Sequence, residues 1–135
     1  MSETQPSILY VEDDPTSRLV MQMILDFAIR LPYHIFEDST NFLDRLLALP
    51  QKPSVFLLDI HMLPMDGFGM LSILRSHPDY RDAIVVAVTA SVMNEEVVQL
   101  QRAGFNGGIA KPIDQKLFPD LLQRILAGEK IWHIV

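Results

Sequence analysis

Three stretches of the chain are continuously apolar, and each stops at a polar residue. Ile8 to Val11 runs into Glu12, Asp13 and Asp14; Val55 to Leu58 runs into Asp59; Ala83 to Val88 runs into Thr89. Short apolar runs of this kind are what strands covered on both faces require. A shorter run, Asn106 to Ala110, ends at Lys111, and Tyr33 to Phe36 reads as a weaker strand. Between them the apolar positions recur at helical spacing. Asp14 followed by Pro15 marks a helix start, since Asp caps the first turn and Pro is tolerated there. That helix is predicted to run to about Ile29 and to stop before Pro32. Ser39 is expected to cap a second helix through Leu49, and Gly67 to Ser76 reads as a third, ended by Pro78. Asn94 to Arg102 with Gly104 beyond it, and Phe118 to Ala127 with Gly128 at its end, complete the set.

Five strands alternating with five helices predict an α/β fold: a parallel sheet with right-handed crossovers and helices on both faces. Ligands bind such sheets beyond the carboxyl ends of the strands. Glu12, Asp13, Asp59, Thr89 and Lys111 all fall at those ends. Two apolar features exceed what this plan needs. The first helix carries three stripes, through Val20, Ile24 and Phe27, through Leu19 and Met23, and through Met21, Leu25 and Ala28, which is either deep packing or a docking face. The tail IWHIV is equally ambiguous between packing on the sheet edge or last helix, a homodimer contact and the start of a linker; packing or a dimer role is preferred.

Composition narrows the classes. With 135 residues, one domain is expected, residues 1–128 as the folded unit and 129–135 as a short apolar tail. The absence of cysteine excludes disulfides, thiolate metal sites and cysteine nucleophiles. No apolar run approaches a membrane span, and MSETQPS lacks the features of a signal peptide, so a cytoplasmic protein with no membrane partner is expected. A net charge of −6 disfavours direct nucleic-acid binding.

Glu12, Asp13 and Asp59 would bring three carboxylates together, and like charges at that range raise each other's pKa unless a cation intervenes. Mg²⁺, or a similar divalent ion such as Mn²⁺, answers that need with oxygen ligands. A carboxylate freed to attack can form an aspartyl phosphate. Phosphoryl transfer asks mainly for positioning and charge neutralisation, which the ion, the Lys111 ammonium and the Thr89 hydroxyl could supply. Ala90 is small enough to leave the pocket open. The bland readings stand beside these: Asp14 and Asp66 as helix caps, Lys111 alone as a solvated lysine, Thr89 alone as a strand-end hydroxyl, and the four histidines as surface or packing residues.

Glu12 and Asp13 after the first strand, Asp59 with Met62, Asp66 and Gly67 behind it, Thr89 with Ala90, and Lys111 with Pro112 together resemble the receiver domain of two-component response regulators, over nearly the whole chain. The separations, 30 residues from Asp59 to Thr89 and 22 from Thr89 to Lys111, also fit. The resemblance implies a flavodoxin-like, doubly wound five-stranded sheet of order 2-1-3-4-5 with five helices. It implies a phosphoacceptor that takes a phosphoryl group from a phosphohistidine of a sensor histidine kinase or histidine phosphotransfer protein onto Asp59, and no enzyme beyond its own phosphorylation and dephosphorylation. Asp13 and Asp59 would hold Mg²⁺ directly, Glu12 through water, and His61 through its backbone carbonyl. Lys111 would pair with the acyl phosphate, Thr89 would move toward it with the Ala90 loop, and the bond before Pro112 would be cis.

Three departures from the family pattern matter. Gly108, in a GFNGG run, stands where the family usually has a switching aromatic. Leu63 precedes Pro64, a shift of one residue in the loop after Asp59, and His61 and Ser91 occupy lifetime-tuning positions. A stand-alone signalling module acting through contacts with a downstream protein is therefore expected, because the chain ends with the receiver. The alternatives are a phosphorylation-independent receiver-like interaction module, motivated by Gly108, and an aspartyl-phosphate phosphatase of the haloacid dehalogenase type, disfavoured because His61 stands where that family has its second Asp.

Overall fold

The computed structural model describes residues 5–90 and 93–133. Its elements follow the predicted alternation: β1 (Ile8–Val11), α1 (Pro15–Ile24), β2 (Tyr33–Phe36), α2 (Phe42–Leu47), β3 (Val55–Asp59), α3 (Gly67–Ser76), β4 (Ile84–Thr89), α4 (Asn94–Ala103), β5 (Gly107–Ala110) and α5 (Phe118–Leu126). A short β6 (Trp132–His133) follows. All neighbouring strands are parallel, in the order β2-β1-β3-β4-β5-β6. The expected 2-1-3-4-5 arrangement is present, extended by one strand that the tail supplies.

Period-two alternation sorts the strand residues cleanly. Leu9, Val11, Phe56, Leu58, Val85 and Ala87 face one core with Phe42 and Leu46 of α2, Met70, Leu71 and Leu74 of α3, and Leu100 of α4. Ile8, Tyr10, Val55, Leu57, Val86, Val88 and Ile109 face the other, under Met21 and Ile24 of α1 and Phe118, Leu121, Leu122 and Ile125 of α5. Each sheet face is covered, which is why the strands read as unbroken apolar runs.

Three local features differ from the sequence-based expectation. The first helix does reach Ile29, but Leu25–Ile29 is a π-helical turn, closed by Arg30 in the left-handed region at φ 60°. Within this helix Met21, Ile24 and Leu25 are buried, whereas Leu19, Met23 and Phe27 remain 58%, 47% and 77% exposed. Deep packing thus accounts for one side of the helix only. Ser39 does not cap α2, which starts after Asn41 and ends at Leu47. Ser39 is buried instead, its hydroxyl accepting from the Met65 N–H at 2.8 Å and donating to the Met65 carbonyl at 2.6 Å. The loop that follows β3 had two amide groups to satisfy, and that need outweighed local capping.

The tail lies against the sheet edge. Gly108 N–H donates to the Ile131 carbonyl at 2.8 Å, and Trp132 is the β6 neighbour of Gly108. A Cβ on Gly107 would stand 2.5 Å from that same carbonyl oxygen, so this close approach demands glycine there.

Candidate functional site

Strand ends deliver the acids and the lysine to one place. Asp59 is the last residue of β3 and Glu12 the first beyond β1; both are buried, while the Asp13 side chain beside them is exposed. The carboxylate oxygens of Glu12, Asp13 and Asp59 lie within 4.8 Å of one another. Lys111, just past β5, places its Nζ 3.0 Å from Glu12 Oε1 and 3.5 Å from Asp59 Oδ2. The alternation that puts Ile109 under α5 carries Lys111 to the same side. Thr89, the buried last residue of β4, belongs to the opposite parity, and its backbone carbonyl accepts from the Lys111 N–H at 2.9 Å.

Further donors hold the two buried acids. Glu12 Oε1 accepts from the Tyr10 hydroxyl at 2.9 Å, Glu12 Oε2 from the Asp14 N–H at 3.3 Å, and the Glu12 carbonyl from Arg18 Nη1 at 3.0 Å. Asp59 Oδ1 accepts from the His61 N–H at 3.2 Å. The electrostatics follow from this arrangement. Burial, reinforced by the hydrogen bond and charge of Glu12, pushes the Asp59 carboxyl up to about 7. Burial would raise Glu12 as well, but hydrogen bonds from Asp59, Lys111 and Tyr10 prevail and hold it below the ordinary carboxylate value. Burial would lower Lys111; its hydrogen bond to Glu12 and the charges of Asp59 and Glu12 raise it instead. The pair of buried acids therefore shares a proton near neutrality. Replacing that proton by a hard divalent cation would relieve the same repulsion, so the oxygen-only donor set fits such an ion.

The remaining predicted residues are placed as follows. Ala90 is exposed beside Thr89, and the His61 side chain is exposed on the loop after Asp59. Gly108 is buried within β5, and Lys111–Pro112 is cis as expected; Leu63–Pro64 is cis too. Ser91 lies outside the described residues. Asp14 caps α1 by accepting from the Ser17 N–H at 2.9 Å, and Asp66 caps α3 by accepting from the Gly69 N–H at 2.9 Å, which bears out their bland readings. Tyr10 was not singled out in the sequence. A tyrosine inside a doubly buried strand needs a partner for its hydroxyl, and Glu12 two residues on shares its face; that pairing was the available clue.

Comparison with known proteins adds an independent line. The model of the response regulator receiver domain family matches residues 8–125. An uncharacterised 14.6 kDa protein from the sodA1 3′ region of Leptolyngbya boryana is 30% identical over 82% of this chain and 82% of its own length. The signal transduction histidine-protein kinase BarA of Shigella flexneri is 26% identical over 96% of this chain, which spans only 14% of that kinase. Among solved structures, the bacteriophytochrome response regulator AtBRR superposes with a TM-score of 0.76 at 25% identity, covering 91% of this chain and 94% of its own.

Proposed function

The chain belongs to the response regulator receiver domain family, and on that premise we propose that Asp59 is the phosphoacceptor of a two-component phosphorelay. Receiver domains are signalling modules rather than conventional enzymes. The observation that carries the reading is the buried Asp59 carboxylate, 3.5 Å from the Lys111 ammonium and inside a trio of acids.

In the proposed reaction an Asp59 oxygen attacks the phosphorus of a phosphohistidine. A P–O bond forms as the P–N bond breaks, and the imidazole nitrogen keeps the bonding electron pair and takes a proton from water. Asp13, Asp59 and the His61 carbonyl would hold Mg²⁺ directly, and Glu12 would hold it through water. The ion, when bound, supplies positive charge to the equatorial phosphoryl oxygens. Lys111 is within reach of Asp59 and would exchange its contact with Glu12 for a phosphoryl oxygen. Thr89 would turn its hydroxyl to the same group and draw the Ala90 loop with it, altering the α4 and α5 surface. The proposed partners are a histidine kinase or phosphotransfer protein on the donor side and a downstream protein on the other, all in the cytoplasm. No helix among the described residues is long and apolar enough to cross a membrane.

The test compares the wild type with Asp59→Asn. Each is incubated with Mg²⁺ and a small acyl phosphate, and intact mass is read at once. Gain of one phosphoryl group by the wild type alone is expected; gain by both would remove Asp59 from the role.

A second reading, a phosphorylation-independent interaction module, is favoured by Gly108, which offers no side chain to report the phosphate. Partner affinity that is the same with and without phosphate on Asp59 would select it.

A further inference from the structure

Tyr10 is the feature of the site that neither the family resemblance nor the reaction above uses. Its ring is wholly buried in the core beneath α1 and α5, yet its hydroxyl emerges beside the acids and donates to Glu12 Oε1 at 2.9 Å. Lys111 Nζ shares that same oxygen at 3.0 Å. The two donors are not equivalent. Lys111 sits on a flexible stem and is also within 3.5 Å of Asp59 Oδ2, so it is the partner that can leave. Tyr10 cannot leave, because its ring is fully buried in the core that it shares with Met21, Ile24 and Phe118. Once Lys111 turns to another anion, the Tyr10 hydroxyl stays on Oε1. The other fixed contacts of Glu12, the Asp14 N–H on Oε2 and Arg18 on the backbone carbonyl, hold its second oxygen and its main chain.

We propose that Tyr10 is a positioning residue for the divalent-cation site: its hydroxyl fixes the orientation of the Glu12 carboxylate when Lys111 departs. The proposal rests on the reading of Glu12, Asp13 and Asp59 as that site. Removing the hydroxyl leaves a fully buried carboxylate with one donor fewer, so that Oε1 is less firmly oriented or keeps Lys111 as its neutralising partner. Either outcome competes with cation binding.

The experiment is a calorimetric titration of the full chain with Mg²⁺ alone, at pH 8 and without phosphodonor, for the wild type, Tyr10→Phe, Glu12→Gln and the double variant. Tyr10→Phe keeps the ring and its packing, and thermal melts in metal-free buffer verify that each variant is folded. Binding by Tyr10→Phe about tenfold weaker than by wild type is expected, equivalent to about 1.4 kcal/mol. In the Glu12→Gln background the same change is expected to alter affinity less than twofold, since a residue acting through Glu12 has no effect once the carboxylate is gone. Wild-type affinity in Tyr10→Phe, or an equal loss in both backgrounds, overturns the positioning role while leaving the cation site intact. A wild type that binds no Mg²⁺ overturns the cation site itself, and the proposal with it.

Discussion

Asp59 combines 3% exposure with a carboxyl that holds its proton to about pH 7. The unfolded chain releases that proton near the ordinary value of 3.8, so between about pH 4 and 7 the folded protein carries a proton that the unfolded one has lost. Stability contributed by this group therefore falls as pH rises through that window. Glu12, held below its usual 4.5, acts in the opposite sense: its contribution is present above that value and is lost as pH drops through the lowered one. In Mg²⁺-free buffer at pH 8, Asp59→Asn is expected to exceed wild type by roughly 2–4 kcal/mol in urea unfolding, with the gap closing toward pH 4. Coincident unfolding curves at pH 8 would show that Asp59 ionises in place without cost. The acids, Thr89 and Lys111 were legible as residues because each ends an apolar run, where a polar side chain has no packing reason to be. Tyr10 was not, because inside such a run a tyrosine looks like one more large apolar residue. Ser39 was misread for the converse reason: a serine before a helical pattern suggests a cap, and its true partner, Met65, is 26 residues away.

At the level of elements, periodicity located the five helices and five of the six strands. The π turn at Leu25–Ile29 keeps the apolar spacing of a helix while changing its hydrogen bonds, so hydropathy alone cannot distinguish it. β6 is two residues long, too short for any pattern to declare; only its partner, the side-chain-free GG of β5, explains it. Gly107→Ala is accordingly expected to displace the tail, costing about 1–3 kcal/mol and exposing the Gly108 N–H to hydrogen exchange. Unchanged protection at Gly108 would mean that the strand accommodates the methyl. Along α1 and the π turn that continues it, the exposed Leu19 and Phe27 are separated from the buried Met21, Ile24 and Leu25. Leu19→Ser with Phe27→Ser is expected to change stability by no more than about 0.5 kcal/mol. If that face receives the phosphohistidine donor, transfer from a donor protein falls about tenfold while phosphorylation by a small acyl phosphate is retained; a wild-type rate of transfer from the donor protein would leave the stripe without that role.

Across the whole molecule the two ends of the sheet are built differently. At the carboxyl end four ionisable groups, Glu12, Asp13, Asp59 and Lys111, crowd one site. At the amino end, half-buried Arg75 of α3 donates to the Arg81, Ala83 and Gly104 carbonyls and to the Asn106 side chain, which in turn accepts from the Val85 N–H. One guanidinium thus ties α3 to the starts of β4 and β5. Arg75→Met is expected to cost about 1–2 kcal/mol, because three exposed or half-buried carbonyls and the Asn106 side chain lose one charged donor together. A loss below about 0.5 kcal/mol would indicate that water replaces it. The order of strands was implied by the family resemblance that the motifs carry, but this asymmetry was not, since Arg75 lies on a helix face with no sequence feature pointing to oxygens up to 31 residues away. The short sixth strand has a consequence for how molecules of this chain meet one another. Without it, the glycine pair of β5 would border solvent as a flat row of unpaired amides, the kind of margin onto which a neighbouring chain adds its own backbone. With it, that row is interior, and the new margin is two residues wide among the described residues, a short template for strand addition at high protein concentration.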